Sequence, residues 1–260
     1  MADTFVTLSK EAPLGIITLN RPPANSYNLA FMEHLDAIIE EVAADDEIKA
    51  AMIVSASEKF FCGGADIKNF LAMTPEENTH MVTFAHETLS KIARRPEVFI
   101  AVINGHALGG GLEIALACDI RLAVDARYFV GLPEATLGLL PGNGGTQRLT
   151  RLIGAGRALE MMLTGANVSP QEALELGIVH KLFPPDSFQA DVIAYAHKLA
   201  NGPTQALAYI KRCVYEGIEK PLAEGLALER DLISDLFTTE DVQEGLTAFV
   251  ERRDPNFKGR

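Results

Sequence analysis

The chain is 260 residues long, 48% hydrophobic and 22% charged, and its 35 acidic against 23 basic side chains give a formal net charge of −12. That length and mix fit one large globular domain, or one with a smaller appendage. The acidic balance argues against a dedicated nucleic-acid surface, which needs a basic patch, yet leaves room for an anionic small molecule held by a few well-placed cations. Cys62, Cys118 and Cys213 are odd in number and far apart. Reduced, packed thiols are therefore expected, rather than a disulfide framework or a cysteine-based zinc site. The start lacks the charge and apolar core of a secretory signal, and no apolar run reaches the ~18 residues of a membrane span. A cytoplasmic protein without membrane contact is the expectation.

In chain order, Thr4 to Ser9 and Leu14 to Asn20 alternate at a period of two and read as strands. Arg21-Pro22-Pro23 ends the second, because proline cannot continue a ladder. Leu29, Met32, Leu35, Ile38, Ile39 and Val42 share one helical face. Ala50 to Ser55 is a short buried strand, Pro75 to Arg95 a helix, Val98 to Ile103 a strand, Leu112 to Ala117 a helix and Asp119 to Val124 a strand. Two glycine turns sit between these elements, at Cys62-Gly63-Gly64-Ala65-Asp66 and at Leu108-Gly109-Gly110-Gly111. Strand, glycine turn and helix thus recur, which implies an α/β layer built from right-handed crossovers. From Pro133 strands become scarce, and Gly156 to Leu163, Pro170 to Leu176, Asp186 to Ala200, Pro203 to Glu216, Pro221 to Phe237 and Thr239 to Arg253 carry helical periodicity. The apolar residues Leu222, Leu226, Ile233, Leu236 and Phe237 of the last stretches must be covered by the core or by a neighbouring subunit.

The glycine turns carry the chemistry. Glycine lets backbone approach a ligand closely, and the helix that follows points free N–H groups back at the turn. If the N–H groups of Ala65 and Gly110 converged, they would form a two-donor oxyanion hole suited to a thioester carbonyl that gains enolate character. Asp66 equally reads as a helix cap, a role compatible with the first. Glu113 and Glu134 read either as ordinary helix-start acids or as a carboxylate pair for general acid–base work, their titrations pushed apart if they share a site. Other motifs fail. The run Gly142-Asn143-Gly144-Gly145-Thr146-Gln147 lacks the last glycine of a dinucleotide fingerprint, and His86-Glu87 starts a zincin motif that stops at Ser90. His34, His80, His106, His180 and His197 stand alone, so no metal site is expected.

Over almost its full length the sequence resembles the enoyl-CoA hydratase/isomerase (crotonase) superfamily. The matching stretches are Thr18 to Pro22, Phe61 to Lys68, Ile103 to Asp119, Pro133-Glu134 with Leu137 to Gly142, Gly144 to Leu149, Ala173 to Val179 and Phe249 to Phe257. The resemblance implies an α/β spiral of ββα units over residues 1–195, holding the coenzyme A and catalytic sites. Residues 196–260 would form a helical region for assembly into a homotrimer or dimer of trimers. It implies Glu113 and Glu134 as catalytic pair, with Ala65 and Gly110 as oxyanion hole. Gly63, Gly64, Ala65, Asp66, Ile67 and Lys68 would lie against coenzyme A, with Ala24 and Ser26 near its nucleotide end. Phe249 and Lys258 match a tail that helps cover that site, in some assemblies a neighbour's. Hydratases of the family carry both glutamates, which implies water addition to a trans-2-enoyl-CoA. A Δ3,Δ2-enoyl-CoA isomerase using Glu134 alone is the alternative within the fold, and an RNA-binding homologue a remote one. Coenzyme A enters as part of the substrate, and no separate cofactor is implied. Two departures stand out. Phe129-Val130-Gly131-Leu132-Pro133-Glu134 has a residue beyond the family's Phe-Gly-x-Pro-Glu, which predicts a bulge or a change of face there. Pro23 to Asn28 replaces a common Asn-Ala-Leu, which predicts an unusual acyl preference.

Overall fold

The computed structural model describes residues 4–259, so Met1, Ala2, Asp3 and Arg260, at the two ends of the regions outlined above, lie outside the described residues. The strands of the main sheet are β1 (Val6–Glu11), β2 (Leu14–Leu19), β3 (Ala50–Ser55), β5 (Val98–Ile103), β7 (Ile120–Val124) and β10 (Lys181–Phe183), the inner four being largely buried apolar runs. Their order is β1-β2-β3-β5-β7-β10. The β1/β2 hairpin is antiparallel and every other pair is parallel. A second sheet, of order β4-β6-β8-β9, is made of strands only two or three residues long: β4 (Phe60–Cys62), β6 (His106–Leu108), β8 (Val130–Gly131) and β9 (Asn167–Val168).

Three long strands of the first sheet, β3, β5 and β7, are each followed by a short strand of the second and then by a helix or turn. After β3 and β4 come α2 (Ile67–Ala72) and α3 (Pro75–Arg94). After β5 and β6 comes α4 (Gly110–Ala117), and after β7 and β8 a 3-10 turn at Glu134–Leu137. This is the expected spiral of ββα units. Stacking successive turns brings the ends of β4, β6 and β8, and the glycine turns that follow them, to one place. All six residues of β5 are buried, as a central parallel strand covered on both faces must be.

The expected bulge before Glu134 does not occur. Val130 and Gly131 pair in unbroken register with Ala107 and Leu108 on one side and with Val168 and Asn167 on the other. Phe129 is exposed, whereas Val130, Gly131 and Leu132 are buried in succession. The irregularity of this sheet lies instead in β4, between Phe60 and Cys62.

α1 (Leu29–Ala44) starts on Asn28, whose side chain accepts from the Phe31 N–H, and buries Phe31, Met32, Leu35, Ile39 and Val42. Later helices are α5 (Gly145–Ile153), α6 (Ala155–Thr164), α7 (Pro170–Glu175), α8 (Phe188–Ala200), α9 (Thr204–Gly217), α10 (Leu222–Leu236) and α11 (Glu240–Glu251). α8 runs through residues 195 and 196 and packs on β2, β3 and β5. Of the five apolar residues named above, Leu236 is covered in the single chain, while Leu222, Leu226, Ile233 and Phe237 are exposed.

Candidate active site

Gly109, at φ +53, turns the chain from β6 into α4, a backbone conformation open to glycine. All eight residues of α4 are buried, so Glu113 carries its carboxyl into the core. A buried carboxylate needs hydrogen-bond partners. Glu113 Oε1 has two, the N–H groups of Asn143 and Gly145, each at 2.7 Å. Both belong to the start of α5, whose positive dipole end faces the carboxylate. Burial raises the pKa of Glu113, and the two N–H groups and Arg148 act against that rise.

Glu134 reaches the same cavity from the 3-10 turn, behind Pro133. Its Oε2 is buried with no hydrogen-bond partner. Burial, then the charge of Glu113, pushes its pKa up to about 7. Burial thus raises both carboxyls, but Glu113 has backbone donors that act against the rise, whereas Glu134 feels the charge of Glu113 as a further push upward. One side chain can take a proton while the other gives one.

The two glycine turns meet above this pair. A Cβ on Gly64 would stand 2.8 Å from Leu108 O and 3.4 Å from Gly110 N. Ala65 forms a parallel bridge with Tyr27, whose bonds use Tyr27 N–H to Gly64 O and Asp66 N–H to Tyr27 O, leaving the Ala65 N–H outside the ladder. Gly110 is the first residue of α4, and its N–H has no acceptor within the helix. Asp66 caps α2 by accepting from Lys68 and Asn69 N–H, so capping and donor presentation coexist as expected. Asp66 also pairs with Arg21 at 2.8 Å, and that guanidinium holds its carboxyl below the ordinary range.

Two hollows adjoin here. The inner one, of about 240 Å³, holds Glu113, Glu134, Gly64, Gly110 and the apolar side chains Phe70, Val82, Leu137, Leu139 and Leu140. The outer groove, of about 820 Å³, is lined by Ala24, Ser26, Asp66 and Lys68 together with Phe5, Asn20 and Arg21. Gly63, Ala65 and Ile67 line both. Of the residues singled out from sequence, the fold thus brings together Ala24, Ser26, Gly63 to Lys68, Gly110, Glu113 and Glu134. Phe249 and Lys258 line neither hollow; Phe249 is exposed on α11, and the Lys258 N–H donates to Asp241. His106 serves the sheet, its Nδ1 accepting from Phe129 N–H. Among the described residues no three His, Cys, Asp or Glu gather as a metal site.

Asn143, Gly145 and Tyr27 are site residues that sequence reasoning passes over. The run from Gly142 to Gln147, set aside above as a failed nucleotide fingerprint, is the loop that grips Glu113. Its glycines were the available signal: a Cβ on Gly145 would stand 3.0 Å from Glu113 Oε1.

The family model described as enoyl-CoA hydratase/isomerase matches residues 9–260. The short-chain-enoyl-CoA hydratase of Clostridium acetobutylicum is 36% identical over 257 residues, 98% of this chain and 98% of that protein. A solved enoyl-CoA hydratase structure from Geobacillus kaustophilus has a TM-score of 0.96 and 45% identity, covering 100% of this chain and 98% of its own. One from Bacillus anthracis has a TM-score of 0.94 and 38% identity, covering 98% and 100%. Likeness that runs from one end of the fold to the other, and not through the glycine turns alone, makes this chain an enzyme of the enoyl-CoA hydratase/isomerase family.

Proposed function

We propose that the enzyme adds water across the 2,3-double bond of a trans-2-enoyl-CoA thioester to give a 3-hydroxyacyl-CoA. The observation that carries this reading is a pair of carboxyls in one cavity, one gripped by two backbone N–H groups and the other with a buried oxygen that has no partner. Glu113, gripped by Asn143 and Gly145 N–H, takes a proton from water as its oxygen attacks C3. Glu134, with its pKa near 7, delivers a proton to C2. The N–H groups of Ala65 and Gly110 donate to the thioester oxygen as negative charge grows there. The nucleotide and pantetheine lie along the outer groove past Ala24, Ser26, Gly63, Gly64, Asp66, Ile67 and Lys68, with Arg21 beside them. No further cofactor enters this scheme.

The exposed apolar residues Leu222, Leu226, Ile233, Phe237, Phe249 and Val250 support assembly into a homotrimer or a dimer of trimers. In that assembly Phe249 and Lys258 would cover a coenzyme A site. Among the described residues no helix is long and apolar enough to cross a membrane; buried, free Cys62 and Cys118 suit a reducing, cytoplasmic setting.

The test is loss of the conjugated enoyl-thioester absorbance when purified protein meets crotonyl-CoA and longer homologues, with Glu113→Gln and Glu134→Gln alongside. Turnover that falls in both variants is the expected result. A wild type inert to every chain length sinks the reading. Preference for a 3-enoyl-CoA, lost only in Glu134→Gln, replaces it with isomerisation.

A further inference from the structure

Tyr27 stands in the stretch from Pro23 to Asn28 that departs from the family pattern, and its ring is buried against the inner cavity. Three parts of the site meet on it. Its backbone ties to the first glycine turn through Tyr27 N–H to Gly64 O at 2.9 Å and Asp66 N–H to Tyr27 O at 2.8 Å. Its hydroxyl lies under the second turn, where a Cβ on Gly110 would collide with it. The same hydroxyl accepts a hydrogen bond from Asn143 Nδ2.

Asn143 is the residue whose N–H grips Glu113. It is buried and held at three points: its N–H by Glu113 Oε1, its carbonyl by Arg148 Nη1 at 2.8 Å, and its side chain by Tyr27. The amide makes no other bond, and its Oδ1 has no partner. Without the Tyr27 hydroxyl, that side chain has nothing in the protein to hold it. Asn143 then keeps only its two backbone holds, so it and the neighbouring Gly145 N–H sit less firmly against Glu113.

We propose that Tyr27 is a positioning residue: through Asn143 it sets the loop that orients Glu113, while its ring and backbone index that loop against the turns carrying Ala65 and Gly110. The kinetic part of this inference rests on the hydratase reading; the geometric part does not. The titratable groups that act electrostatically on this corner are Glu113, Glu134, Arg148, Cys62 and Tyr27 itself. Of these, Tyr27→Phe removes only a neutral hydroxyl, so the charges stay in place.

Tyr27→Phe, Asn143→Ala and the double variant test this. With crotonyl-CoA, Tyr27→Phe should lower kcat about tenfold, the scale of one hydrogen bond, and leave KM within about twofold. The double variant should lose no more than the worse single one, because the two residues act as a unit. Carbon-13 NMR of labelled glutamate provides a readout that needs no turnover. Loosened N–H donors favour the Glu113 carboxylate less, so its titration in Tyr27→Phe should move upward by about half a pH unit. If wild type hydrates nothing, the function falls while the Glu113 titration still decides the role of Tyr27. An unmoved Glu113 titration overturns the proposal, whatever happens to kcat. So does a rise in KM at constant kcat, which would make Tyr27 a wall of the acyl pocket.

Discussion

Lys211 Nζ lies 2.9 Å from Asp119 Oδ2, joining α9 to the residue that leads into β7. The same ammonium donates to Ile92 O and Glu97 O, and Asp119 also accepts from Phe99 N–H and the Tyr215 hydroxyl. Both side chains are largely withdrawn from water. Removing one partner strands the other. Lys211→Met is expected to lower stability by about 3 kcal/mol, read as a lower urea midpoint at unchanged slope. An unshifted midpoint would show the bridge to be dispensable.

With Glu113 as base and Glu134 as acid, kcat/KM is expected to follow a bell-shaped pH profile. The rate rises as Glu113 ionises and falls as Glu134 loses its proton near pH 7. Either glutamine variant should lower kcat by about 10² to 10⁴. In Glu113→Gln the residual alkaline limb should move to lower pH, because the charge that helps hold the Glu134 proton is gone. A flat profile through neutrality contradicts the assignment.

Glu134 also makes stability pH-dependent. Its folded pKa, about 7, is above the ordinary glutamate value of 4.5, so between those values the folded chain holds a proton the unfolded chain releases. Stability falls as pH rises through that window. Glu134→Gln should therefore be more stable than wild type above pH 7, by about 1 kcal/mol after allowing for partial solvent exposure, and lose that advantage below pH 4.5. Paired denaturation curves at the two extremes check the sign.

Gly109 tests the space left for the second carboxyl. A Cβ there would stand 2.9 Å from Glu134 Oε1 at φ +53. Gly109→Ala should destabilise by about 1 to 3 kcal/mol and lower kcat, since Glu134 must move. Wild-type turnover in that variant would mean Glu134 has freedom the packing denies it.

At the outer groove, Lys68 is exposed, and its charge is screened by salt. Lys68→Ala should raise KM for a CoA thioester about three- to tenfold at low ionic strength and less at high. It should leave a truncated pantetheine thioester unaffected. Equal losses for both substrates would exclude a phosphate contact.

Much of the fold was legible because long buried strands announce themselves. Ala50–Ser55 and Val98–Ile103 stand where their apolar runs predict. β4, β6 and β8 were not, since two or three residues hold no period to read, and stacking of successive turns defines them. α5 escaped because its first turn, Gly145-Thr146-Gln147-Arg148, is polar and glycine-led. Glu113 and Glu134 were visible as residue types in a family-like context. The bond between Tyr27 and Asn143 spans 116 positions, and no local pattern reports it. The exposed faces of α10 and α11 were visible as apolar stripes, but a stripe does not say what covers it.

Gly63, Ala65 and Ile67 form the wall common to the outer groove and the inner cavity. In the proposed hydration, a thioester laid through both would be measured from its nucleotide handle inward, with the carbonyl registered at that wall. The site would then work as a ruler whose zero mark is the sulfur end. However long or branched the far tail, the carbons presented to Glu113 and Glu134 would be the second and third.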